Sequence, residues 1–151
     1  MEDTLLAAYD LGPERVTTAV VGLPEETLRR RPGPDAWSIH EIVVHLSDAE
    51  IVGSDRIRRA LADKDARLPA FDESAWGQHL SYDIRDLAVA LDTFRALRRA
   101  NADILRHIPT EAWDRTALHS DRGPMTVRDI VRGYVDHVEY HLRQIERLAA
   151  G

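Results

Sequence analysis

Three long segments of the chain repeat their apolar residues at steps of three and four positions, the spacing of one face of an α-helix. These segments cover residues 38 to 61, 83 to 107 and 126 to 148. A fourth pattern, over residues 3 to 22, is also helical. Gly12-Pro13 divides it into a short helix, a kink and a second helix, because proline lacks an amide donor. No segment alternates as a strand does, so the sequence predicts four helices and no sheet.

Residues at the helix starts sharpen these boundaries. Ser38 and Glu41 form an S-x-x-E capping box, and Thr126 with Asp129 resembles one. We therefore expect helices to begin directly after Ser38 and Thr126. Asp83 is the predicted cap of the helix that lies between them.

The length of 151 residues fits a single domain, and we expect one all-α domain over residues 1–151. Four helices in a chain of this size favour a four-helix bundle. The segment from about Ala62 to Tyr82 is long for a connection within a bundle. Its proline and two aromatic residues favour an ordered crossover between the second and third helices.

The composition excludes several kinds of site. The chain has no cysteine, which rules out disulfides, thiolate metal clusters and a cysteine nucleophile. Its net charge of −6 is a poor match for nucleic acid. No apolar run approaches the roughly 18 residues that span a bilayer, and the N-terminus lacks the features of a signal peptide. We expect a cytoplasmic protein that binds neither nucleic acid nor membranes.

Three of the seven histidines fall on inward faces of the predicted helices. His45 lies three positions after Ile42 and four before Ala49, both in the apolar stripe. His137 and His141 lie one turn apart on the last helix, a spacing that lets two imidazoles reach one metal ion. The alternative is that each histidine is hydrogen-bonded to a carbonyl or carboxylate oxygen. The pair leaves both interpretations open and does not by itself locate a third ligand.

Two motifs of the chain resemble those of the DinB-like family of four-helix metalloproteins. The first runs from Pro34 to Glu50 and reads PDAWSIHEIVVHLSDAE; the second runs from Thr126 to Ile145 and contains H-x-x-x-H-x-x-Q-I. The resemblance extends over nearly the whole chain. It implies a bundle with an up-down-down-up path. It also implies that His45 joins His137 and His141 on one divalent metal ion, commonly zinc or nickel.

The function that this resemblance implies is enzymatic. Related family members are described as metal-dependent hydrolases or as S-transferases that use a low-molecular-weight thiol, so we expect a small-molecule substrate. Any thiol would be a cosubstrate, because the chain has none. No acidic residue of the motifs is a clear general base, so the catalytic residues stay open. The alternative is a non-catalytic dimeric helical module whose metal site is structural or vestigial, and we expect a homodimer.

Two further residues are candidates for orienting the metal ligands. Gln144 follows His141 by three positions and Asp48 follows His45 by three, so each shares a helix face with a histidine. Either side chain could hold an imidazole through its second ring nitrogen. The alternative for Asp48 is a surface ion pair with Arg56 or a neighbour.

Overall fold

The computed structural model describes residues 2–151 and contains four long helices, as predicted. They are α1 (Glu2–Val20), α3 (Ile39–Ala62), α5 (Leu87–His107) and α6 (Val127–Ala149). The connections hold the short helices α2 (Glu25–Arg29) and α4 (Glu73–His79), a 3₁₀ helix (Thr110–Asp114), and the strands β1 (Arg67–Leu68), β2 (Thr116–His119) and β3 (Gly123–Thr126). No helix in this range combines the length and apolar character that crossing a bilayer requires.

Helices α3 and α5 run in the same direction. Glu50 of α3 contacts Arg98 of α5, and Ser54, one turn later, contacts Asn101. Two parallel helices that follow each other in the chain must be joined by a segment that returns along the bundle. Residues 63–86 are that segment, which confirms the predicted crossover between the second and third long helices.

The remaining contacts fix the other two directions. Helix α1 runs against α5, since Asp10 binds Arg106 near the end of α5, whereas Glu14 binds Arg95 near its start. Helices α1 and α6 run in the same direction. Their ion pairs join Glu2 to Arg128 and Arg15 to Glu139. The path is therefore up-down-down-up, as the resemblance implied.

Both predicted capping boxes are present. The side chains of Ser38 and Thr126 each accept a hydrogen bond from the third amide of the following helix, and the acidic side chain there returns one. The predicted cap at Asp83 is wrong, because α5 begins at Leu87 and its cap is Asp86. The Asp86 carboxylate accepts from the amides of Ala88 and Val89, in the first turn of the helix, and so caps it at this point.

A single helix runs through Pro13, so the predicted division of the N-terminal segment into two helices is wrong. Pro13 has no amide hydrogen to donate to the carbonyl of Tyr9, four residues earlier. Arg98 donates to that oxygen instead, at 2.7 Å. Gly12 leaves room for the guanidinium, since a β-carbon there would lie 3.0 Å from Arg98 Nη1. A side chain of α5 thus supplies the hydrogen bond that α1 lacks.

The core consists of two apolar clusters separated by a buried polar layer. One cluster contains Phe94 and the other contains Leu105, both on α5. Between these positions Arg98 is 1% exposed and donates to Glu50 at 2.6 Å. Asn101 donates to the same carboxylate at 3.0 Å. Helical periodicity predicts that inward-facing positions are apolar, so it does not predict a buried polar layer.

A three-stranded sheet joins the crossover to the connection before α6, so the prediction of no sheet is wrong. Strand β1 pairs in parallel with β2, with Arg67 opposite Leu118, and β2 forms an antiparallel hairpin with β3. Strands of two to four residues are too short for an alternating pattern to be recognised. The sheet fixes the path of the crossover beside the end of α3 and the start of α6.

Candidate metal centre

Three histidines from two antiparallel helices meet at one point. His137 Nε2 lies 3.0 Å from His45 Nε2 and 3.1 Å from His141 Nε2. One ligand atom from each residue lies within 4.8 Å of the others. The i, i+4 spacing aligns the two histidines of α6, and the packing of α3 against α6 adds the third.

Burial keeps all three imidazoles neutral. Burial, reinforced by the neighbouring histidines, lowers the pKa of His45 to about 2. Burial and then the His141 ring lower the pKa of His137 to about 3. Burial also lowers the pKa of His141. Neutral imidazole is the form that ligates metals, so each ring is available to an ion at neutral pH.

The arrangement of ring nitrogens fits a divalent ion. Gln144 Oε1 lies 3.0 Å from His141 Nδ1 and accepts a hydrogen bond from its N–H, which leaves a lone pair on His141 Nε2 facing the cluster. One proton cannot bridge His137 Nε2 to both of its neighbours. An ion at Zn–N distances of about 2.0–2.1 Å in tetrahedral geometry separates its ligand nitrogens by roughly 3.3 Å, close to the two distances from His137 Nε2. Imidazole ligands suit zinc and nickel alike.

The two residues predicted to orient the histidines lie in different environments. Gln144 bonds to His141 as described above. The carboxylate of Asp48 binds Arg85, with both of its oxygens within 2.9 Å of Nη1, and makes no hydrogen bond to a histidine of the cluster in the structure of residues 2–151. His45 Nδ1 is buried and has no hydrogen-bond partner among those residues. The ring of Trp37 lies against His45, with the ring centres 4.7 Å apart.

A cavity of about 130 Å³ opens beside His137. Its charged lining residues are Arg56 of α3, Glu73 of the crossover and Arg122 of the β2–β3 turn. The sequence predicts none of the three as site residues, because two lie in the connections between long helices and nothing in their spacing relates them to the histidines. Only the tertiary path of the crossover and the hairpin brings these side chains to the centre.

Glu73 is the carboxylate beside the histidine cluster. Its Oε2 lies 3.5 Å from His45 Nε2, and its side chain is 57% exposed. It is the first residue of α4, whose start is fixed by the Asp72 side chain accepting from the Ala75 amide. A carboxylate in this position can accept or return a proton where a ligand of the metal would react.

Tyr134 forms one wall of the cavity and packs over Gly53. A β-carbon at Gly53 would lie 2.7 Å from Tyr134 Cζ. We expect Gly53→Ala to displace the ring and lower the free energy of unfolding by about 1–3 kcal/mol, the usual cost of overpacking. Urea unfolding measures this change.

Gly133→Ala is the matched control for this prediction. A β-carbon at Gly133 would have no described atom within 4 Å apart from its own helix backbone and chain neighbours. The control should therefore gain up to about 1 kcal/mol from helix propensity. Equal stabilities of the two variants would contradict the close packing of Tyr134 on α3.

Comparisons with known proteins place the chain in one protein family. Residues 8–145 match the family model of the DinB superfamily. A protein of Halalkalibacterium halodurans is 23% identical over 135 residues, which cover 89% of this chain and 78% of that protein. A protein of Oceanobacillus iheyensis is 22% identical over 136 residues, which cover 90% of this chain and 78% of that protein. Both are named as candidate metal-dependent hydrolases.

A solved structure shares the fold. YfiT from Bacillus subtilis matches with a TM-score of 0.92 at 21% sequence identity, over 99% of this chain and 86% of YfiT. YfiT is described as a candidate metal-dependent hydrolase with an unusual four-helix bundle topology. The match confirms the predicted four-helix bundle.

Proposed function

This chain belongs to the DinB superfamily, and we propose that it is a metal-dependent hydrolase of small molecules. The observation that carries the proposal is the convergence of three imidazoles beside a cavity that also holds a carboxylate. The names of its relatives in H. halodurans and O. iheyensis support the same activity. His45, His137 and His141 would hold the divalent ion, for which we propose zinc or nickel.

The residues around the centre have separable roles. A divalent ion held by the three imidazoles would lower the pKa of a water or thiol there and so would supply a nucleophile near neutral pH. Gln144 keeps His141 in the tautomer whose Nε2 faces the centre. Glu73 accepts the proton of the attacking water and delivers it to the leaving group as the bond to that group breaks. The water oxygen remains on the substrate.

Glu73→Gln tests the role of the carboxylate. We expect kcat to fall by about 10²- to 10⁴-fold, the usual contribution of a general acid–base group, because the amide cannot accept the proton. Bound metal should remain, since the three histidines are unchanged. Glu111→Gln, at an exposed position outside the cavity, is the control and should keep full activity. An unchanged kcat in Glu73→Gln would remove this residue from the mechanism.

Product analysis tests the reaction class. The metal-loaded protein is incubated with ester, amide and lactone substrates in heavy-oxygen water, with and without an added low-molecular-weight thiol, and products are read by mass spectrometry. Heavy oxygen in the product supports hydrolysis. A product that instead carries an added low-molecular-weight thiol would assign the protein to the thiol-dependent S-transferases. In that case the thiol replaces water as the nucleophile, with Glu73 as its proton acceptor.

The alternative to an enzyme is a non-catalytic dimeric helical module with a structural or vestigial metal. Metal bound stoichiometrically without turnover of any substrate class would favour it. The homodimer stays a prediction, which light scattering of the purified protein tests directly.

A further inference from the structure

The charges of the cavity beside His137 are unbalanced. Two of its three charged lining residues are arginines, Arg56 and Arg122, and the third is Glu73. A divalent ion on the histidines would add two further positive charges at the same place. The cavity therefore has a positive excess that a bound anion would neutralise.

Arg56 is held in place by neutral groups only. Its Nη2 donates to the carbonyl of Pro69 at 3.0 Å, and its Nη1 lies 3.5 Å from the hydroxyl of Tyr134. The guanidinium lies 6.0 Å from the centre of the Phe71 ring. Its Nε is buried and has no hydrogen-bond partner within the described chain. Arg56 is thus an oriented cation with an unused donor.

Two other arginines that are buried or half-buried pair with carboxylates. Arg98 binds the Glu50 carboxylate and Arg85 binds Asp48. Burying a guanidinium without a carboxylate is unfavourable, so proteins normally pair it. No carboxylate of residues 2–151 forms an ion pair with Arg56, although Glu73 lines the same cavity.

Arg122 is the second cation of the cavity without a carboxylate partner. It lies in the turn between β2 and β3, and its guanidinium forms no hydrogen bond or ion pair within the described range. The adjacent carboxylate of Asp121 accepts from Ser120 instead. Arg122 and His137 line the same cavity, so the charge of Arg122 lies beside the histidine centre.

We infer that this cavity binds the acidic group of the substrate, a small carboxylate or phosphate, on Arg56 with help from Arg122. The reacting bond of such a substrate would then lie toward His137 and Glu73, which line the same cavity. A volume of about 130 Å³ suits a small acid, being below the roughly 300–1,000 Å³ of pockets for larger ligands. Only the placement of the reacting bond rests on the proposed hydrolase function; the anion site itself does not.

Calorimetric titration with simple probes tests this inference. Propionate, inorganic phosphate and neutral propionamide are titrated into the metal-loaded protein, and we expect at least one anion to bind and propionamide not to. Arg56→Gln should weaken anion binding roughly 10- to 100-fold, through loss of charge-assisted hydrogen bonds. Arg122→Gln should weaken it less. Arg99→Gln removes an equal charge from the exposed face of α5 and should change nothing.

Repeating the titration with metal-free protein separates the arginines from the metal. Anion binding that persists and still depends on Arg56 supports the inference. Binding that vanishes with the metal but survives in Arg56→Gln overturns it, because the anion is then only a metal ligand. Equal binding of propionate and propionamide overturns it as well. Anion binding through Arg56 without hydrolysis of any substrate would contradict the proposed function and leave the anion site standing.

Discussion

Replacing His137 by alanine is expected to abolish stoichiometric metal binding while the bundle stays folded. His137 is the central histidine, since its Nε2 lies within 3.1 Å of the Nε2 atoms of both His45 and His141. Removing it leaves two imidazoles. Loss of a residue that only orients a metal ligand lowers metal affinity by up to about 100-fold, so we expect loss of a ligand itself to lower the affinity for a divalent ion by more than that. Alanine is the best helix former, so α6 should persist.

Elemental analysis of protein purified without an affinity tag measures this effect. The wild type should carry close to one zinc or nickel ion per chain, and the variant close to none. His107→Ala is the control, because His107 is 77% exposed and lies at the end of α5 away from the cluster. Metal-free wild type under replete conditions, or full metal in His137→Ala, would remove the three-histidine site.

Replacing Arg98 by methionine should cause a large loss of stability. The variant would leave the Glu50 carboxylate buried without its cation and the Tyr9 carbonyl without a donor. Removing one partner of a buried ion pair usually costs about 3–5 kcal/mol. At roughly 2–4 °C per kcal/mol for a chain of this size, Tm should fall by about 6–20 °C.

Thermal and urea unfolding measure the loss, and two variants serve as references. Arg99→Met changes the neighbouring exposed arginine and should stay within about 0.5 kcal/mol of the wild type. The double variant Arg98→Met with Glu50→Gln removes the stranded charge and should recover part of the stability. A single variant as stable as Arg99→Met would show that the polar layer does not hold the helices together.

The helices and their inward histidines were predictable because they depend on local spacing. The apolar stripes, the boxes at Ser38 and Thr126, and the i, i+4 relation of His137 and His141 are properties of single helices. The assignment of His45 as the third histidine came from the family resemblance, and the antiparallel packing of α3 on α6 brings it to the pair.

The predictions that are wrong have a common physical cause: the residues concerned contact partners from distant parts of the chain. Pro13 lies within a continuous helix because Arg98 satisfies the Tyr9 carbonyl from another helix. Local patterns do not predict the sheet, because Arg67 pairs with Leu118, which follows it in the chain only after the whole of α5. The environment of Asp48, which the sequence leaves open, is also set by a distant residue, because its carboxylate binds Arg85 at the end of the crossover.

The amino-acid sequence by itself determined the four helices, most of their starts and the inward faces that carry the histidines, because helical periodicity and capping act within a few residues. The tertiary structure decided what surrounds those histidines. Glu73, Arg56 and Arg122 meet at one cavity only because the crossover and the hairpin fold back onto the bundle. Their chemistry depends on charges brought together across long separations, which no local pattern encodes.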